Sequence, residues 1–221
     1  MSTQRIIVGI DEAGRGALAG PVVAGACILT ANLFRRRKSF HCWSPYKRKK
    51  ADDALLADSK KLTPDERERS YAWIQGQCAF GVGIVDAETI DREGILVATE
   101  RAMNMAIASL ALEGEPLLLV DGRDRFVFPF PHRSIIRGDE SEPCIAAASI
   151  VAKVTRDRMM REASSSFAHY DFVRHKGYGT QVHLQALREH GPCVLHRLTF
   201  LRSLEISAPS AGRRTRQPIL R

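Results

Sequence analysis

The sequence predicts an α/β protein, a mixed β-sheet covered by helices, and three observations carry that expectation. Apolar runs rich in β-branched residues have the length of buried strands: Ile6 to Ile10, Val22 to Leu29, Phe80 to Val85 and Leu117 to Val120. Helical stretches lie between the second, third and fourth runs, which gives two β–helix–β connections. A run of helices follows the strands, so the sheet has helices to cover it, and a ligand is expected where strand ends meet.

The first run ends in two adjacent acids within Asp11-Glu12-Ala13-Gly14-Arg15-Gly16. Ionised carboxylates at the end of a buried strand need partners. This end is therefore either a solvated turn or a metal site beside a backbone that approaches a ligand closely. Pro21 opens the second strand. The 18 uncharged residues from Ala17 to Phe34 touch the length of a membrane span. Their glycines, Pro21, Thr30 and Asn32 favour a strand instead, and no membrane segment is expected. Phe34 to Asp53 is basic with interleaved Phe40, Trp43 and Tyr46, either a nucleic-acid grip or a mobile insertion.

Thr63-Pro64-Asp65-Glu66 is a helix start, with Thr63 as N-cap, proline at the first position and Glu66 closing a capping box. That helix is expected to run to about Gln75. One long helix is expected from Gly94 to Glu113, with Leu96, Met103, Ile107 and Leu110 on its buried side and Gly114 ending it. Pro116 to Asp121 is another buried strand that ends in an acid. Arg133 to Ile136 reads as a short strand, and a helix is expected from about Ile145 to Ala163. Tyr170 to Thr180 reads as loop, Val182 to His190 as a short helix, and the stretch from Pro209 onward as a disordered tail.

The chain has 221 residues, 44% hydrophobic and 26% charged, enough for one sizeable core with a small appendage. Its net charge is +8, unevenly placed. Arg35 to Lys50 carries eight basic residues and no acid; Arg202 to Arg221 carries five arginines against Glu205. Removing +8 and +4 from the total leaves about −4 for the rest, a mildly acidic body with basic appendages. That suits contact with a polyanion. The five cysteines include no C-x-x-C pair, and the Met1-to-Arg5 start meets Asp11 too soon for a secretory leader. A reduced, cytoplasmic monomer is expected.

Two strands end in aspartate, Asp11 (with Glu12) and Asp121, and Asp139 sits in the turn before the last long helix. Mg²⁺ takes oxygen ligands, one or two carboxylates each, plus substrate phosphate oxygens. Carboxylates converging from separate elements can hold two ions about 3.5–4 Å apart, the arrangement that serves in-line phosphoryl displacement. On the long helix Ser149, Lys153 and Asp157 share one face, being four residues apart. They form either a salt-bridged stripe or, for Ser149 and Lys153, a contact to a substrate phosphate.

Seven motifs in order now carry a family resemblance. They are Asp11 to Gly16, Asp58-Ser59-Lys60-Lys61-Leu62, Val120-Asp121-Gly122, Gly138-Asp139, Ala146 to Asp157, His175-Lys176-Gly177-Tyr178-Gly179-Thr180 and His196-Arg197. Together they resemble ribonuclease HII over residues 6 to about 200. The resemblance implies a ribonuclease-H-like mixed β-sheet flanked by helices with a C-terminal helical extension. It also implies one catalytic domain over 1–206, with a basic insertion loop at 34–53 and a basic tail at 207–221. Asp11, Glu12, Asp121 and Asp139 match the family's metal-binding carboxylates, implying Mn²⁺ or Mg²⁺, two ions per active site in the substrate complex. The implied activity is hydrolysis of the RNA strand of RNA–DNA hybrids and cleavage 5′ to single ribonucleotides in duplex DNA, leaving 3′-hydroxyl and 5′-phosphate ends.

Gly14, Arg15 and Gly16 match the segment whose backbone contacts the 2′-hydroxyl, the one group that distinguishes a ribonucleotide from DNA. Tyr178 matches the tyrosine that packs on the sugar beyond the RNA–DNA junction. Lys60, Lys61, Lys153 and Lys176 are expected at phosphates, with Ser149 beside them, while Asp157 is expected to be structural or to orient phosphate. The sequence departs from the family pattern at Ala17, often proline, and in the length of the 34–53 insertion. Two other classes stay open: a DNA-only nuclease or resolvase, for which Gly-Arg-Gly would lack a purpose, and a non-catalytic nucleic-acid-binding protein, which intact carboxylates argue against.

Overall fold

The β1 strand (Ile7–Ala13) lies at the centre of a five-stranded sheet because its side chains are buried on both faces. The structure is a computed structural model that describes residues 6–29, 59 and 62–204. The 34–53 insertion, Lys60, Lys61 and the 207–221 tail lie outside the described residues. β2 (Val22–Leu29) returns antiparallel to β1 with Asp11 opposite Gly25. α1 (Pro64–Gln77) follows, and β3 (Cys78–Val85) pairs antiparallel with β2 along its whole length. α2 (Ala87–Glu93) and α3 (Ile95–Ala108) lead to β4 (Leu117–Asp121), which lies parallel to β1 on its other side. β5 (His132–Ile135) pairs parallel with β4 and closes the order β3-β2-β1-β4-β5.

Five α-helices follow β5 among the described residues. α4 (Gly138–Ser141) is a single turn, and α5 (Pro143–Ser166) is the long helix across one face of the sheet. α6 (Phe172–His175), α7 (Gln181–His190) and α8 (Leu198–Leu201) form the C-terminal helical extension. None of the helices among the described residues is long and apolar enough to cross a membrane, and Val22–Leu29 is strand throughout.

The α1 start is as expected. The Glu66 amide donates to Thr63 Oγ1 at 3.3 Å, and the Thr63 amide donates back to Glu66 Oε2 at 2.8 Å. The helix expected from Gly94 to Glu113 is α3, which starts at Ile95, and a shorter helix not anticipated from the sequence, α2, precedes it. Asp86 caps α2 by accepting from the Thr89 amide at 2.8 Å, and Gly94, at φ +83°, joins the two. α3 also ends earlier, at Ala108, with Ala111 and Gly114 both at positive φ. Leu96 is exposed, because the helix turns its small residues to the sheet: Ala98, Thr99, Ala102 and Ala106 are buried beside Met103 and Ile107. A Cβ on Gly83 would stand 1.9 Å from the Ala102 carbonyl oxygen, so helix and strand meet backbone to backbone.

α5 makes the same close approach on the opposite face. A Cβ on Gly9 would stand 2.1 Å from the Cys144 carbonyl carbon, and Ala146 to Ala148 are wholly buried. A methyl group in such a contact costs about 1–3 kcal/mol through overpacking. Pressing α5 onto β1 and β2 brings the Ser149 hydroxyl to Asp11 near the end of β1.

Candidate metal centre and nucleic-acid interface

The parallel register sets Ile10 beside Val120, so the next residues, Asp11 and Asp121, leave adjacent strands at the same carboxyl edge. Asp139 reaches them from α4. Arg137 turns the chain at φ +57°, and the Gly138 amide donates to Asp121 Oδ1 at 2.7 Å. One carboxylate oxygen from each of Asp11, Asp121 and Asp139 lies within 4.8 Å of the others. Asp11 and Asp139 are buried, and Asp121 is half-buried.

Burial pushes the Asp11 carboxyl well above the usual range, and the charges of Glu12 and Asp121 push it further. The Ser149 hydroxyl and the Glu12 amide, which donates to Asp11 Oδ1 at 2.7 Å, oppose the shift only in part. Carboxylates crowded in this way have room in their electrostatics for cations. The donors are all oxygen, which suits a hard divalent ion better than zinc.

Successive residues of a strand face opposite sides, so Glu12 leaves β1 away from Asp11. Its Oε1 accepts from Arg15 Nη1 at 3.1 Å, and the same nitrogen donates to Asp124 Oδ2 at 2.7 Å. Burial raises the Glu12 carboxyl while the Arg15 charge pulls it back. Asp124 was not singled out in the sequence. Its signal is an acid three residues beyond Asp121, near enough to share the strand end.

Two buried arginines hold the Gly14-to-Pro21 turn from within. Arg156 donates through Nε to the Pro21 carbonyl, through Nη2 to Ala19 and through Nη1 to Lys176, each at 2.9 Å. Arg197 donates to Gly20 at 3.0 and 2.8 Å and to the Arg15 carbonyl at 2.9 Å. Desolvation lowers the Arg197 guanidinium to about 9, with Arg156 adding to the effect. Both arginines sit in motifs that carry the resemblance, where the sequence assigns them no role. Only their depth reveals them as the internal frame of this turn.

The three residues of Gly14-Arg15-Gly16 occupy different environments. Gly14 is buried at φ +93°, and a Cβ there would fall 2.0 Å from Arg156 Nε. Gly16 is exposed, and a Cβ there would meet nothing within 4 Å. The space over Gly16 is thus open to a ligand. Tyr178 is half-buried beside the turn, with Arg156 Cζ 5.2 Å and Lys153 Nζ 5.7 Å from its ring centre. Lys153 also pairs with buried Asp157 at 2.7 Å. Lys176, at φ +52°, donates to the Val173 carbonyl, and burial lowers its ammonium. Ser149, expected near a substrate phosphate, is buried, its hydroxyl 2.8 Å from that of Ser59.

Beneath Tyr178 lie three buried histidines, His175, His183 and His196. Burial holds His183 down to about 4 and His196 to about 3, with the neighbouring imidazoles contributing. The sign follows from linkage. On acidification below 6.5 the unfolded chain takes up protons that folded His183 refuses until about pH 4, so stability falls across that window. The melting temperature of the parent should therefore fall more steeply between pH 6.5 and about 4 than that of His183→Phe. Parallel curves would show that His183 does not resist protonation.

A mixed sheet whose parallel strand ends gather three carboxylates beside a ligand-open turn is an arrangement that suits a metal-dependent phosphodiester hydrolase. The sequence pattern of the family described as ribonuclease HII matches residues 8–203. Ribonuclease HII of Chloroflexus aggregans is 45% identical over 203 residues, covering 91% of this chain and 89% of that protein. Ribonuclease HII of Chlamydia caviae is 46% identical over 197 residues, covering 88% and 84%. The crystal structure of ribonuclease H2 from Pyrococcus horikoshii is similar with a TM-score of 0.70 at 22% identity, covering 90% of this chain and 97% of that one, a likeness of fold. This chain belongs to the ribonuclease HII family. It is an endoribonuclease that acts on RNA–DNA hybrids and removes ribonucleotides from DNA.

Proposed function

We propose that Asp11, Asp121 and Asp139, joined by Glu12 at their edge, hold two divalent ions, Mg²⁺ or Mn²⁺, when substrate is bound. The observation that carries this is the approach of three carboxylate oxygens from separate elements to within 4.8 Å. When bound, such ions supply positive charge for the attacking water and the departing 3′-oxygen of an in-line displacement. Burial and the charges of Glu12 and Asp121 favour the protonated Asp11 carboxyl, bound cations would favour its release of that proton to solvent, and Ser149 keeps its carboxylate oriented. The cut falls 5′ to the ribonucleotide and leaves 3′-hydroxyl and 5′-phosphate ends.

The backbone at Gly14, Arg15 and Gly16 contacts the 2′-hydroxyl, with Gly16 leaving room for the sugar. Tyr178 packs on the next sugar. Lys153, Lys176, Lys60 and Lys61 neutralise phosphates, so binding weakens with salt. Asp157 orients Lys153 through their ion pair. The chain works as a cytoplasmic monomer, with residues 1–206 as the catalytic domain, 34–53 as a basic insertion and 207–221 as a basic tail. The described cysteines, Cys27, Cys78, Cys144 and Cys193, are free, which suits a reducing compartment.

The test is cleavage of three duplexes in parallel: all DNA, DNA with one ribonucleotide, and a continuous hybrid, with the cut site mapped. One cut 5′ to the ribonucleotide and none in DNA is expected. Tyr178→Ala should lose about a hundredfold on the single ribonucleotide and less on the hybrid, since a misplaced reacting group costs that much. Equal losses on both substrates would remove the sugar-packing role.

A further inference from the structure

The histidines beneath Tyr178 form a directed chain. The Cys193 amide donates to His196 Nδ1 at 2.9 Å, so a neutral His196 carries its proton on Nε2. That nitrogen lies 2.9 Å from His183 Nε2, which must then accept. His183 accordingly carries its proton on Nδ1 and donates it to the Tyr178 carbonyl at 2.9 Å. His175 is fixed separately. Its Nδ1 accepts from Gly177 at 3.2 Å, its Nε2 donates to the Tyr170 carbonyl at 2.6 Å, and its ring stacks on His183 at 4.3 Å.

We infer that His183 and His196 are positioning residues for ribonucleotide discrimination, a neutral two-histidine relay that fixes the Tyr178 backbone beneath the sugar-packing ring. This rests on the role of Tyr178 proposed above. Arg156 and Lys153 set the ring from the α5 side, and the relay sets its backbone from the C-terminal side. The relay also spans two segments. Cys193 and His196 lie beyond α7, and the isolated pairing of Ala19 with His196 joins that segment to the Gly14-to-Pro21 turn. One hydrogen-bonded path therefore links the turn over the carboxylates to the tyrosine. Simple core filling does not require it, because an aromatic hydrocarbon ring would fill the same volume without two desolvated imidazoles.

The test compares cleavage of a single embedded ribonucleotide with cleavage of a continuous hybrid, using full-length protein. His183→Phe keeps the ring stack on His175 but has no donor for the Tyr178 carbonyl. It should lower the single-ribonucleotide to hybrid ratio about tenfold, the effect of one lost positioning hydrogen bond. His183→Asn, whose side-chain amide can donate where Nδ1 did, should recover most of the ratio. In a Tyr178→Ala background His183→Phe should add nothing. A parental ratio in His183→Phe, with Tyr178→Ala impaired, overturns the relay and leaves the tyrosine reading standing. An unimpaired Tyr178→Ala overturns both. Should His183→Phe fail to fold, nitrogen NMR of the parent decides: Nδ1–H on His183 and Nε2–H on His196 support the relay, and the opposite tautomers overturn it.

Discussion

Asp121→Asn is expected to reduce cleavage by about 10³-fold or more, as loss of a charge-stabilising group at a reaction centre does. Asparagine keeps the shape and an oxygen that can accept from the Gly138 amide, so α4 and Asp139 should stay in place. What is lost is one charge of the three gathered there. The linkage sign sharpens the expectation. The Asp11 carboxyl is raised in the folded protein, so the stability tied to its proton is full below 3.8 and is lost as pH rises through the folded value. Asparagine at position 121 removes one of the like charges that raise Asp11. The metal-free variant should thus melt no lower than the metal-free parent, while the rise in melting temperature on adding Mn²⁺ should shrink sharply. Near-parental cleavage in Mn²⁺, or an undiminished thermal shift, would falsify the assignment.

The second large effect separates two glycines that look alike in the sequence. Gly14→Ala should destabilise the fold by about 3 kcal/mol or more, from overpacking against a buried charge that cannot leave its partners. The added methyl would fall 2.0 Å from Arg156 Nε, and moving that guanidinium would strand the carbonyls of Ala19, Pro21 and Lys176. The positive φ of 93° adds strain for any L side chain. Gly16→Ala should melt within about 0.5 kcal/mol of the parent, like other unobstructed surface changes. Its cleavage of an embedded ribonucleotide should nevertheless fall about a hundredfold, because the methyl occupies the space through which the sugar must approach. Melting curves and rates for the pair check this directly. If Gly16→Ala cuts like the parent, the ligand does not come close to that backbone.

Much of the site was legible because strands announce their ends. Asp11 and Asp121 each terminate an apolar run, and parallel pairing of two such runs puts their ends at one edge. The Thr63–Glu66 capping box was legible for a similar reason, since local hydrogen bonds need only local sequence. The start of α3 at Gly94 was legible, but α2 was missed, because its seven residues are too few to show a helical period. Leu96 misled because size suggested burial, whereas the glycines of β3 demanded a helix face of alanines. Arg156 and Arg197 were invisible as structural groups. An arginine's partners are backbone carbonyls far away in sequence, and no spacing rule reports them.

By itself the sequence determined the sheet-and-helix class, the two aspartates at strand ends and the motif order that marks the family. Those depend on periodicity and on chain order, which are one-dimensional. Tertiary structure alone decided which carboxylates meet, that Glu12 shares Arg15 with Asp124, and that Gly14 is buried while Gly16 is open. It alone joined Cys193, His196, His183 and Tyr178 into one path. The physical reason is that hydrogen bonds and Coulomb interactions act over a few ångströms, and only the folded chain brings residues distant in sequence within that range.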